Sequence, residues 1–79
     1  MTFVYVLQSL IEPERFYVGL TNDMQRRLDE HNSGNSIHTN KFRPWRMAVG
    51  IQFADPAKAA KFELYLKSGS GRAFAKKHF

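Results

Sequence analysis

Apolar and polar positions divide the chain into short segments of different period. Phe3-Val4-Tyr5-Val6-Leu7 and Phe16-Tyr17-Val18-Gly19 are apolar runs rich in β-branched and aromatic residues. They predict strands over Thr2 to Gln8 and Phe16 to Leu20. Ile11 to Arg15 between them is polar, and Pro13 bars strand continuation. The two runs therefore read as an antiparallel hairpin. With its loop centred near Ile11, Tyr5 falls opposite Tyr17, and opposed residues point to one face. A slip of one residue would place them on opposite faces.

Thr21-Asn22-Asp23 opens a helix, with Asn22 and Gln25 in a capping-box pattern. The helix is predicted from Asp23 to about Asn32, ending at Gly34 as a left-handed cap. Met24, Leu28 and His31 form one stripe, which Arg27 borders. A guanidinium at that border reaches over the sheet or pairs at the surface with Asp23 or Glu30. Asn35 to Lys41 is a polar loop containing His38. Trp45 to Phe53 alternates, with Trp45, Met47, Val49, Ile51 and Phe53 on one buried face and Arg46, Ala48, Gly50 and Gln52 on the other. Asp55-Pro56 is an N-cap followed by proline at the first helical position, which starts a helix to Lys67. Ser68 to Lys77 is a turn leading into a short basic helix. There, Gly69 ends one helix and Ser70 caps the next, or the free amides beside Arg72 hold a phosphate. The pattern gives an α+β fold, a three-stranded antiparallel sheet flanked by helices.

Seventy-nine residues are expected to form one domain, 1–79, burying roughly 60% of the unfolded surface. The absence of cysteine excludes disulfides, thiol nucleophiles and thiolate zinc sites, and is compatible with the cytoplasm. The first apolar run is short and has no basic segment before it, so neither a signal peptide nor a membrane span is expected. The net charge of +5 is unevenly placed. Acids cluster at Glu12, Glu14, Asp23, Asp29 and Glu30. None occurs from His31 to Ala54 or after Glu63, where Lys41, Arg43, Arg46, Lys67, Arg72, Lys76 and Lys77 lie. This asymmetry favours an anionic partner, and DNA or RNA is the usual one for a small basic domain.

Glu63 changes the picture. It falls in one helical arc with Ala59, Phe62 and Leu66. A carboxylate among core-facing residues is costly unless it is paired, reaches water or coordinates a cation. Arg27 or a lysine is the candidate pair. No phosphate-loop or dinucleotide motif, serine–histidine pairing or zinc-like histidine spacing is present.

Taken in order, Val4-Tyr5-Val6, Tyr17-Val18-Gly19, Arg27, His31 and Glu63 resemble the GIY-YIG nuclease domain over nearly the whole chain. Gly19 to Asp23, Arg26-Arg27-Leu28, His31 to Gly34 and Leu66 to Arg72 are similar to its small stand-alone bacterial branch. The resemblance implies a metal-dependent DNA endonuclease acting in repair or on branched or foreign DNA. The alternative is a nucleic-acid-binding module that cleaves little and works through a partner. The resemblance implies Glu63 as ligand to Mg²⁺ or Mn²⁺ and Arg27 as the stabiliser of charge building on phosphorus. Tyr5, with Tyr17 nearby, orients or deprotonates water. A phenol of pKa about 10 needs a nearby cation to act as a base. His31 and a metal-bound water are the other candidate acceptors. Arg26, Lys41, Arg43, Arg46, Lys67, Arg72, Lys76 and Lys77 are the cations expected to meet DNA phosphates.

Overall fold

The N-terminal apolar run becomes the middle strand of the sheet. A computed structural model describes residues 2–79. In it β1 (Thr2–Ser9) pairs antiparallel with β2 (Phe16–Thr21) on one side and β3 (Trp45–Phe53) on the other, giving the order β2-β1-β3. A central strand covered on both faces needs apolar residues at successive positions. Val4, Tyr5, Val6 and Leu7 are accordingly all buried. Val4 and Val6 look to one core with Ala59 and Leu66; Tyr5 and Leu7 look to the other with Trp45.

The hairpin register differs from the predicted one by two residues. Tyr5 lies opposite Gly19, and Tyr17 lies opposite Leu7. An even shift leaves faces unchanged because side chains alternate with period two. Tyr5 and Tyr17 therefore still share a face, with ring centroids 6.3 Å apart.

β3 departs further from its pattern. Val6 pairs with Val49 but Leu7 pairs with Met47, so Ala48 is an extra residue at a bulge. Its neighbours then point to different faces. Trp45 and Met47 pack with Tyr5 and Leu7, whereas Val49 and Phe53 pack with Val4 and Val6. The expected single apolar face is thus divided between two cores.

Each core is closed by helices. α1 (Met24–Asn32) covers the tyrosine face through Leu28. Its N-cap is Asp23, not Asn22, and the Asp23 carboxylate accepts from the Arg26 amide at 3.0 Å. Such a cap stabilises by about 1 kcal/mol. Asn32 at the other end clamps β3 by accepting from the Trp45 amide at 2.6 Å and donating to its carbonyl at 3.0 Å. Gly34 follows with φ +85°, the left-handed geometry expected there.

α2 (Pro56–Lys67) lies over the Val4/Val6 face, capped by Asp55 as predicted. α3 (Gly69–His78) folds back on it. Ser68, not Ser70, caps α3, accepting from the Gly71 amide at 3.1 Å. Gly71 is buried where a Cβ would collide with the Tyr65 carbonyl oxygen. Among the described residues no helix is long and apolar enough to cross a membrane.

Candidate active site

The side chains of Tyr5, Arg27, His31 and Thr39 form one hydrogen-bonded chain beneath α1. Arg27 Nε donates to the Tyr5 hydroxyl oxygen at 3.1 Å. Tyr5 Oη and His31 Nε2 are 3.0 Å apart, and His31 Nδ1 lies 2.6 Å from Thr39 Oγ1. The donor and acceptor capacities of these groups set the direction of each bond. A guanidinium only donates, so the buried Tyr5 hydroxyl must spend its own hydrogen on His31 Nε2. The neutral imidazole then carries its proton on Nδ1 and donates it to Thr39. Trp45 Nε1 donates to the Thr39 carbonyl at 2.9 Å, anchoring the far end.

Gly19 makes room for this arrangement. The Tyr5 ring lies across it, and a Cβ there would come within 2.5 Å of Tyr5 Oη. The φ of Gly19 is not positive, so the requirement is for space, not for an unusual backbone.

Electrostatics follow from burial. The Tyr5 side chain is 1% exposed, and burial pushes its phenol above the ordinary value of about 10. Arg27 opposes that by hydrogen bond and charge without overturning it. The cation that was expected to make Tyr5 acidic is therefore present but outweighed. Arg27 is held above the usual arginine range, chiefly by its bond to Tyr5 with help from Glu30, and stays charged. Its Nη1 pairs with Glu30 Oε1 at 3.1 Å. Two of the five guanidinium hydrogens are thereby used, leaving three for a ligand. Arg27 and Glu30 border a shallow pocket with Asn35, Ser36 and His38.

His31 is fully buried, and burial first, then the Arg27 charge, lowers its pKa, with Glu30 opposing. A histidine held neutral in the folded state binds fewer protons than in the unfolded chain as pH falls below about 6.5. Its stabilising contribution is complete above that pH and declines toward the depressed folded value, by up to about 1.4 kcal/mol per pH unit. The thermal midpoint is expected to fall more in wild type than in His31→Gln between about pH 7.5 and pH 5. Circular dichroism melts check this; parallel slopes for the two proteins would assign the acid sensitivity elsewhere.

Tyr17 belongs to the same cluster but is more open. Its ring lies 4.9 Å from His31 and is half-buried. No hydrogen bond joins its hydroxyl to another described residue. It also borders a groove beside β2 with Leu66 and Lys67.

Glu63 does not join the cluster. α1 and α2 cover opposite faces of the sheet. The Glu63 carboxylate, 13% exposed, pairs with Lys67 one turn along α2. The open alternatives for this residue thus resolve to a lysine pair, not to Arg27. Among the described residues no three His, Cys, Asp or Glu side chains converge on a metal position. A single carboxylate fits a hard cation such as Mg²⁺ or Mn²⁺, which keeps waters and takes phosphate oxygens. It does not fit a tetrahedral zinc site.

The expected phosphate-binding cations are dispersed. Lys67, Arg72 and Lys76 share the groove beside β2. Arg43 Nη1 packs over Gly34, and Lys41 Nζ sits 5.9 Å from the Phe42 ring centroid. Arg26 donates to Asn22 at 3.0 Å. Arg46 on β3 and Lys77 on α3 are exposed. Thr39 escaped the sequence reading because it lies in a polar loop without periodicity. Its nearest signal is Trp45, whose indole needs an acceptor when buried.

A tyrosine-anchored arginine on a three-stranded antiparallel sheet with three helices defines the class. The family model of the GIY-YIG catalytic domain matches residues 1–77, and the chain belongs to that family. It is similar to the structure-specific endonuclease subunit SLX1 of Scheffersomyces stipitis, 42% identical over 67 residues, covering 76% of this chain and 20% of that protein. The SLX1 homolog of Giardia intestinalis is 35% identical over 65 residues, covering 77% of this chain and 18% of that protein. The chain thus spans about a fifth of the length of these relatives. Among solved structures, the UPF0213 protein BH0048 from Bacillus halodurans superposes with a TM-score of 0.57 at 28% identity, covering 96% of this chain and 81% of that one.

Proposed function

We propose that this chain is a DNA endonuclease domain that hydrolyses phosphodiester bonds with a divalent cation. The observation that carries the reading is Arg27: a permanently charged guanidinium, anchored through Tyr5 and Glu30, with three hydrogens unspent. Such a group suits the negative charge that grows on a phosphoryl centre in the transition state. Tyr5 and His31 are enclosed, so in this reading they hold Arg27 in place. Tyr17, whose hydroxyl has no described partner, orients the attacking water. Glu63 would hold Mg²⁺ or Mn²⁺ in place of its Lys67 partner, and a cation there would offset charge on the phosphate. Because α1 and α2 cover opposite faces of the sheet, a phosphate met by both Arg27 and that cation would lie at the β2 edge, where Tyr17 borders both the Tyr5 cluster and the groove with Leu66 and Lys67. The relatives' names, structure-specific endonuclease subunits, support a DNA substrate chosen by its structure, such as branched DNA, and a partner subunit. Alignment of 96% of this chain to a Bacillus halodurans protein supports the small bacterial branch, beside the SLX1 relatives from Scheffersomyces and Giardia.

The test is cleavage of branched and linear DNA with Mg²⁺ or Mn²⁺, against chelator controls. Glu63→Gln is expected to slow cutting by about a hundredfold or more while DNA binding persists. Equal trace cutting by wild type and this variant would mark a contaminant and leave a binding module as the better reading.

A further inference from the structure

The groove beside β2 runs between the start of that strand and α3, and Tyr17 connects it to the Tyr5 cluster. Its wall carries more than charge. Phe16, the first residue of the edge strand, is 52% exposed, and Phe79, also bordering the groove, is 41% exposed. The Phe79 ring meets Phe74 edge to face with centroids 5.5 Å apart, whereas no ring contact engages Phe16 among the described residues. Arg72 and Lys76 lie one turn apart on α3, so they project from one side of it. Both are exposed, and neither has a carboxylate within ion-pair distance among the described residues. The groove's other cations are engaged: Lys67 with Glu63, and Arg15 with Glu12 and with the Phe42 ring at 4.5 Å. Glu14 is the acid at its rim.

A bare aromatic face next to unpaired cations suits one kind of anion. In a duplex the base faces are stacked on each other and only phosphates and groove edges are offered. An unpaired strand offers both a phosphate track and free base faces, and base–aromatic stacking is the usual second half of such binding. We infer that this groove holds an unpaired nucleic-acid strand, with a base stacked on Phe16 and the backbone phosphates met by Arg72 and Lys76. Tyr17, which lines the groove and also packs in the Tyr5 cluster, places the strand beside the candidate active site. The inference rests on the reading of the chain as a DNA-cleaving domain and names the form of DNA that enters it.

Fluorescence anisotropy without divalent metal tests it, using a short labelled oligothymidylate and a duplex of equal length. The single strand is expected to bind about tenfold more tightly than the duplex at low salt. Phe16→Ala weakens single-strand binding at least about fivefold, as loss of one stacked base does, and leaves duplex binding unchanged. Phe16→Trp restores it. Arg72→Ala and Lys76→Ala weaken both ligands and flatten the salt dependence. Phe16 is exposed, so its substitution is expected to leave the melting curve in place. Equal affinity for both ligands, or single-strand binding indifferent to Phe16→Ala, overturns the inference while the nuclease reading stands. Absence of salt-dependent binding to either ligand overturns both.

Discussion

Arg27→Ala is expected to lower the DNA cleavage rate about 10³-fold while changing DNA affinity less than about tenfold. The geometry explains why the two should separate. Arg27 is one cation among 12 lysines and arginines, so its share of simple phosphate attraction is small. Its distinction is orientation. Nε is committed to Tyr5 at 3.1 Å and Nη1 to Glu30 at 3.1 Å, which fixes the plane of the guanidinium and aims the remaining hydrogens. Fixed donors aimed at developing charge need no reorganisation during reaction, and that is the origin of their effect on rate. Arg27→Lys should restore little, because one ammonium cannot reproduce the planar fork that meets tyrosine, carboxylate and phosphate together. Single-turnover kinetics with Mg²⁺, beside anisotropy binding, reads the split. A parallel fall in rate and affinity would reduce Arg27 to an anchoring residue.

How far the chain could be read from its sequence depended on the kind of regularity involved. Period two located both strands of the hairpin, and because the register error was even, the shared face of Tyr5 and Tyr17 survived it. The same period misled at β3. Alternation from Trp45 to Phe53 is unbroken in the sequence, yet the bulge at Ala48 turns its two halves to different cores. A bulge without glycine or proline leaves no mark on such a pattern. Caps moved by a residue or two because neighbouring Asn, Asp and Ser side chains all suit the position. Glu63 was legible as an anomaly, but its partner was not. Lys67 at i+4 is a local pair, whereas Arg27 belongs to a helix on the opposite face of the sheet. The hydrogen-bonded chain from Arg27 to Thr39 was half visible: stripe and strands gave three members, and only folding of the loop supplied the fourth.

Gly19 shows what the motif's glycine does, and Gly19→Ala is the second substitution expected to have a large effect. Its new Cβ would lie 2.5, 2.6 and 2.9 Å from Tyr5 Oη, Cζ and Cε1. The ring cannot simply step aside, since it is 1% exposed and packed among Tyr17, His31 and Leu7. Overpacking of this kind costs about 1–3 kcal/mol of stability. The functional cost follows from where the collision falls. It strikes the hydroxyl end of the ring, and a shift of a few tenths of an ångström there stretches both the Arg27 and the His31 bonds. Cleavage should drop about a hundredfold as Arg27 loses its anchor. Gly50→Ala is the internal comparison, on the other side of the same tyrosine. There the added methyl would collide with Met24 Sδ, the movable end of a flexible side chain, so a milder loss is expected. If Gly19→Ala acts through the tyrosine oxygen, its effect on rate and that of Tyr5→Phe should not add, and the double variant should be no slower than the worse single one. Additive losses would mean that Gly19 serves packing alone, with Arg27 held by Glu30 instead.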